Sequence, residues 1–188
     1  MAVLPIRITG DPVLHDPAEP VGEIDGALRE LVADMFETMA AAPGVGLAGP
    51  QVGVAKRLFV YDWTDEDGAR HRGVAIDPQL WLSPLTIGEL DEDTESEGCL
   101  SIPGERFPLR RAEGVILRAT DLDGERFEIE AHGWLARIFQ HEYDHLDGVL
   151  YADRLEYPLQ KAVAKVVRKN SWGVPGMSWT PGVDDLDA

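Results

Sequence analysis

Gln140-His141-Glu142-Tyr143-Asp144-His145 places an H-E-x-x-H in a stretch with helical periodicity. Histidines four residues apart leave the same face of a helix, so both imidazoles can reach one metal ion. Glu142, next to the first histidine, is then placed to take a proton from a water polarised by the ion rather than to bind the ion itself. The same five residues also arise on an ordinary amphipathic helix, so a third ligand has to define the chemistry. Cys99, the single cysteine of the chain, sits in Glu97-Gly98-Cys99-Leu100-Ser101 and can supply it. A lone cysteine is by itself most often a small buried hydrophobe. As a thiolate beside two imidazoles it leaves one tetrahedral position for water, which hydrolysis requires.

Other completions of the motif fail. In metzincin-type proteases it continues x-x-G-x-x-H; Gly148 is in place, but the histidine position is Tyr151 and no histidine follows His145. A gluzincin-type site takes a glutamate from a later helix, and the only one after Glu142 is Glu156, too close for that pattern. A second chemical element is the loop Gly44-Val45-Gly46-Leu47-Ala48-Gly49-Pro50-Gln51. It lacks the Lys-Ser/Thr of a phosphate cradle and follows a helix instead of opening one. It fits a backbone brought close to a substrate, with Gln51 offering an amide donor. Asp144 reads as an ion-pair partner, with Arg111 or Arg137, or as a carboxylate that orients a neighbouring group. His15, His71 and His132 have no spacing partner and read as surface or locally satisfied residues.

These residues need elements to hold them. Ile24, Leu28, Leu31, Val32, Met35, Phe36 and Met39 recur at helical spacing and predict a first helix that stops before Pro43-Gly44. The segment before it, to about Gly22, is rich in proline and turn residues and reads as an extended arm. Leu58–Tyr61, Val74–Ile76, Val115–Ala119 and Phe127–Ile129 read as strands, with Asp123-Gly124 as a hairpin turn. Helical pattern returns from Gly133 to about Leu146, carrying the H-E-x-x-H, and again from about Pro158 to Asn170. Strands grouped between helices predict an α+β domain. The tail 171–188 is expected to be irregular or mobile.

The 188 residues, 44% of them apolar, suit one domain with its own core. No run approaches the roughly 20 apolar residues that cross a bilayer, and the N-terminus lacks the pattern of a secretory leader. With one cysteine, a disulfide framework is excluded and a cytoplasmic location is expected. Lys plus Arg number 17 against 34 Asp plus Glu, a net charge of −17, which excludes a general nucleic-acid binder. The charge is uneven. Glu89 to Glu97 holds six acids and no base, read as a solvated loop, while Tyr157 to Asn170 holds four bases and no acid. Lys161, Lys165 and Arg168 share one face of the last helix; Lys161, in its first turn, is not explained by the helix dipole.

Taken together, three segments resemble the peptide deformylase family: the G-x-G-hydrophobic-A-A-x-Q loop (Gly44 to Gln51), the E-G-C-L-S segment (Glu97 to Ser101) and the Q-H-E-x-D-H-L-x-G helix (Gln140 to Gly148). The resemblance also takes in Asp11-Pro12-Val13-Leu14 and the first helix, covering about residues 5 to 155. Gly49 departs from the family's alanine, which would loosen one side chain of the substrate loop. The resemblance implies antiparallel sheets packed around a central helix that carries the motif, with residues 1–170 as one catalytic domain. It implies a metal, typically Fe2+ with Zn2+, Ni2+ or Co2+ able to substitute, held by Cys99, His141 and His145. The implied reaction removes the formyl group from N-terminal formylmethionine of nascent polypeptides and releases formate. Glu142 would be the base, and Gln51 and the backbone N–H of Leu100 would stabilise the oxyanion. Gly46 would align the substrate backbone, with Val45, Trp134 and Ile138 forming the methionine pocket. Against this stand a zincin-type metallopeptidase, which lacks its third ligand, and an inactive metal scaffold, which has no use for Glu142. A ribosome-binding role for the basic last helix is compatible with catalysis.

Overall fold

Leu58-Phe59-Val60-Tyr61 is apolar without alternation, as expected for a strand covered on both faces. The computed structural model, which describes residues 2–184, shows what covers it. In chain order the elements are β1 (Ile6–Arg7), α1 (Gly26–Ala41), β2 (Gly46–Ala48), β3 (Leu58–Thr64), β4 (Arg70–Leu82), β5 (Ser96–Cys99) and β6 (Ile102–Pro108). There follow β7 (Gly114–Thr120), β8 (Arg126–His132), α2 (Gly133–Leu146), α3 (Tyr157–Lys169) and β9 (Ser178–Trp179). The main sheet is antiparallel in the order β2-β3-β4-β7-β8, with β5-β6 and β1-β9 as separate pairs. Among the described residues, no helix is long and apolar enough to cross a membrane.

Leu58 and Val60 face α1, where Leu28, Val32, Met35 and Met39 pack with Val74 and Ile76. Asp25 starts that helix, its carboxylate accepting from the Leu28 N–H at 2.9 Å. Phe59 and Tyr61 face α2, packing with Leu117, Leu135, Ile138 and Phe139. Eleven of the fourteen α2 residues are buried, against five of sixteen in α1. An amphipathic surface helix buries one stripe; α2 is buried nearly all round within an α+β fold.

Two sequence expectations change. The arm before Gly22 contains β1 and a 3-10 turn at Pro12–Leu14, capped by Asp11. The tail is not irregular throughout: Ser178–Trp179 pairs with Ile6–Arg7 and buries Trp179. Its pairing partner lies at the opposite end of the chain, so no local pattern marks it. Residues 185–188 of the expected tail lie outside the described residues.

Candidate active site

Helix α2 brings His141 and His145 to one face, and the β5–β6 hairpin, with Leu100-Ser101 as its turn, brings Cys99 opposite them. One ligand atom from each lies within 4.8 Å of the others, and all three residues are buried. Cys99 Sγ is 3.3 Å from His145 Nε2. Nitrogen and sulfur bound tetrahedrally to one ion at about 2.1 and 2.3 Å would stand about 3.6 Å apart, so the Cys99–His145 pair suits a shared metal. His141 Nδ1 donates to Glu97 Oε1 at 3.2 Å, because a carboxylate only accepts; its Nε2 is thereby turned to the shared centre. Burial, helped by the positive His141 and Arg111, pushes His145 well below its usual pKa, leaving it neutral as a ligand must be. For His141 burial acts in the same direction, but Cys99 and Glu97 outweigh it and raise its pKa well above normal. A metal held at Nε2 would therefore displace a proton.

Glu97 is the residue the charge pattern hides. It is the last of the six acids read as a solvated loop, yet it is 4% exposed. Arg111 pairs with it through Nη2 at 2.6 Å and Nε at 3.2 Å, and Arg137 Nη1 adds a contact at 3.1 Å. Burial would raise its pKa, but His141 and Arg111 prevail and hold the carboxyl well below the usual range. Arg111 also reaches Asp144 at 2.6 Å, and Arg154 grips the same carboxylate from the other side at 2.5 and 2.6 Å. Asp144 is thus an ion-pair partner of Arg111 and Arg154, while Arg137 serves Glu97 and the Leu109 carbonyl. His15, His71 and His132 stand in local contacts: with the Gly10 N–H, with Asp65, and with Glu130.

Glu142 points across the centre from α2. Its Oε2 is buried without a hydrogen-bond partner among the described residues. Burial above all, with the charge of Glu97 adding, raises its pKa to about 7. Before any cation binds, that places its ionisation near neutral pH. Gly46 makes room for it, since a Cβ there would stand 2.3 Å from Glu142 Oε1. We expect Gly46→Ala to keep the fold and displace this carboxylate. Turnover should then fall by at least tenfold with little change in melting temperature, measured by formate release and calorimetry. Unchanged turnover would remove Gly46 from the site.

Gln51, in the 3-10 turn Gly49–Val52, has its Oε1 held by the Ala48 N–H at 2.8 Å. This fixes the amide so that Nε2 faces Cys99 Sγ at 3.8 Å and Ser101 Oγ at 3.5 Å. A cavity of about 580 Å³ opens over the centre, and Val45, Gly46, Leu100, Trp134 and Ile138 all line it. Gly49 does not. A Cβ there would meet the carbonyls of Lys56 and Val54 at 2.8 and 3.0 Å, so close backbone packing leaves no room for a side chain at this position. The expectation of a loosened substrate loop is corrected accordingly.

The sequence profile of polypeptide deformylase matches residues 3–161. The chain belongs to the polypeptide deformylase family. It is 51% identical over 186 residues to the peptide deformylase of Rhodococcus opacus, covering 97% of this chain and 95% of that one. With the peptide deformylase of Mycolicibacterium smegmatis it shares 51% over 189 residues, covering 97% and 96%. Among solved structures, the peptide deformylase of Thermus thermophilus superposes with a TM-score of 0.75 at 38% identity, over 89% of this chain and 94% of that one. That of Synechococcus elongatus, solved with actinonin, superposes at 0.75 with 39% identity, over 90% and 86%. As a deformylase the chain is a hydrolase of a metal-dependent family, and its Cys-His-His group suits that dependence.

Proposed function

We propose that the chain hydrolyses the formyl group from the N-terminal formylmethionine of nascent polypeptides, with Cys99, His141 and His145 holding the metal and Glu142 as base. One observation carries this reading: the three ligand atoms converge beside Glu142, whose buried Oε2 has no hydrogen-bond partner among the described residues, beneath an apolar cavity. A divalent ion held there supplies Lewis acidity that brings hydroxide within reach at neutral pH. Glu142 takes the proton released and later delivers it to the leaving amine. The Leu100 N–H and the Gln51 amide donate to the oxyanion, and loss of one such donor costs about 3 kcal/mol in the barrier. β2 is an edge strand of the main sheet, so its Gly46 backbone can take the substrate as an added strand. Val45, Trp134 and Ile138 provide apolar surface for the methionine side chain. An endopeptidase reading has no third ligand of its own kind beyond Glu142.

The metal we propose is Fe2+, with Zn2+, Ni2+ and Co2+ as substitutes. A thiolate beside ferrous iron presents two oxidisable centres. Iron-loaded protein should therefore lose activity in air while the nickel form persists; equal half-lives in aerated buffer would overturn this expected lability. We further assign residues 1–170 to the body of the catalytic domain, onto which the tail folds through Ser178–Trp179, and the cytoplasm as its location. The basic helix α3 is proposed to dock on ribosomal RNA or protein. Lys161, Lys165 and Arg168 are exposed there, although Lys161 also lies 4.3 Å over the Tyr157 ring, which gives that first-turn cation a local partner. Reversing all three to glutamate should weaken co-sedimentation with ribosomes at low salt and leave hydrolysis of a short formyl peptide unchanged. Equal sedimentation would overturn the docking.

A further inference from the structure

The C-terminal tail reaches the metal centre through a residue that the deformylation chemistry above does not use. Trp179 is 9% exposed and packs with Ile6, Ile8, Ala42 and Leu100. Packing alone requires only its ring. Its indole N–H, which can only donate, is aimed at the Leu100 carbonyl at 2.8 Å. That carbonyl belongs to the Leu100–Ser101 peptide unit, whose own N–H points at Cys99 Sγ at 3.4 Å. A peptide that accepts at its carbonyl becomes a stronger donor at its nitrogen, so the two bonds reinforce each other.

The platform behind the indole is firmly built. β9 pairs with β1 through Ile6↔Trp179, the Ile8 N–H donates to Met177 O at 3.0 Å, and the Gly173 N–H donates to Thr9 O at 3.1 Å. Asp11 accepts from the Gly176 N–H at 3.0 Å. The N-terminal arm then grips the next carbonyl of the hairpin turn, as the Thr9 N–H donates to Ser101 O at 2.9 Å. Both carbonyls of the two-residue turn after Cys99 are thus held from outside the hairpin, one by each end of the chain.

We propose that Trp179 is a positioning residue for the metal centre. Through the Leu100–Ser101 peptide it fixes the hydrogen bond that the Cys99 sulfur receives from the Ser101 N–H. Partners one bond removed from a metal ligand commonly change affinity or activity by about ten- to a hundredfold when lost. The tail is by this account part of the active site, although it carries no ligand.

The proposal rests on the reading of Cys99 as the sulfur ligand, and the experiment separates the two. Full-length protein is loaded with Co2+, and the thiolate-to-cobalt charge-transfer band in the near ultraviolet is recorded with kcat and KM for a formyl-Met peptide. A parent protein without that band would overturn the ligand reading and the proposal with it. Given the band, Trp179→Phe, which keeps an aromatic ring and removes the donor, should shift it and lower kcat about tenfold with KM within about twofold. Benzothienylalanine at position 179, which keeps the bicyclic shape and lacks the N–H, should do the same and decides the matter if the phenylalanine variant is unstable. Superimposable spectra with kcat within about twofold of the parent would overturn the relay and leave Trp179 as packing alone.

Discussion

Glu142→Gln should bind metal as the parent does, melt at the same temperature and lose about a thousandfold in kcat. General-base catalysis contributes about 10²–10⁴-fold, and an amide of the same shape accepts no proton. The substitution is gentle on the fold because, among the described residues, Glu142 Oε2 makes no hydrogen bond that an amide would break. The same carboxyl governs the pH profile. Its pKa stands at about 7 without metal, raised chiefly by burial. A bound cation favours the ionised form and lowers that value toward the ordinary 4.5. The base is active when ionised, so kcat/KM should fall as pH drops through a pKa between those limits. The Gln variant should lose that acid limb. Retention of activity within about tenfold, or an unchanged acid limb in the variant, would take the base role away from Glu142.

Arg111→Met should be the most destabilising single change outside the hydrophobic core. Arg111 is buried between two buried carboxylates, Glu97 and Asp144, at 2.6 Å from each. Removing one partner of a buried ion pair costs about 3–5 kcal/mol because the remaining charges lose compensation. Arg137 and Arg154 still attend those carboxylates, which places the cost near the lower end, about 3 kcal/mol. For a chain of this size that is a drop of about 10 °C in melting temperature. Arg154 contacts the same Asp144 from a half-exposed position. Its replacement by Met should cost no more than about 1 kcal/mol. Equal shifts for the two variants would show that burial is not what gives the network its energetic weight. Arg111→Met should also weaken metal binding, since Glu97 fixes the tautomer of His141.

What the sequence made legible follows the range over which each feature is encoded. His141, Glu142 and His145 lie within one helical turn and a half, so periodicity alone puts them on one face. The loop at Gly44–Gln51 and the Cys99 segment were readable as local motifs, and the structure brings both against α2. The hairpin β5–β6 was not. Ser96-Glu97-Gly98-Cys99 and Ile102–Pro108 hold glycine, proline and charges in place of β-formers, and packing of Ile102, Phe107 and Leu109 with Leu150 and Tyr151 holds the hairpin in place. Glu97 was masked by its five acidic neighbours, although its place two residues before Cys99 was a signal available in the motif. Arg111 was readable as a partner for Asp144, but its bond to Glu97 and that of Trp179 to Leu100 join residues 14 and 79 apart in the chain. No local pattern carries such information.

The central claim is tested most directly by incubating protein purified without oxygen with a formyl-Met-Ala-Ser peptide, and quantifying formate and peptide products together. Stoichiometric formate and free Met-Ala-Ser are expected, with about one divalent ion per chain, removed with the activity by a chelator and restored with it by adding metal. Cleavage at the Met-Ala bond, or no formate from protein carrying its full complement of metal, would contradict the claim.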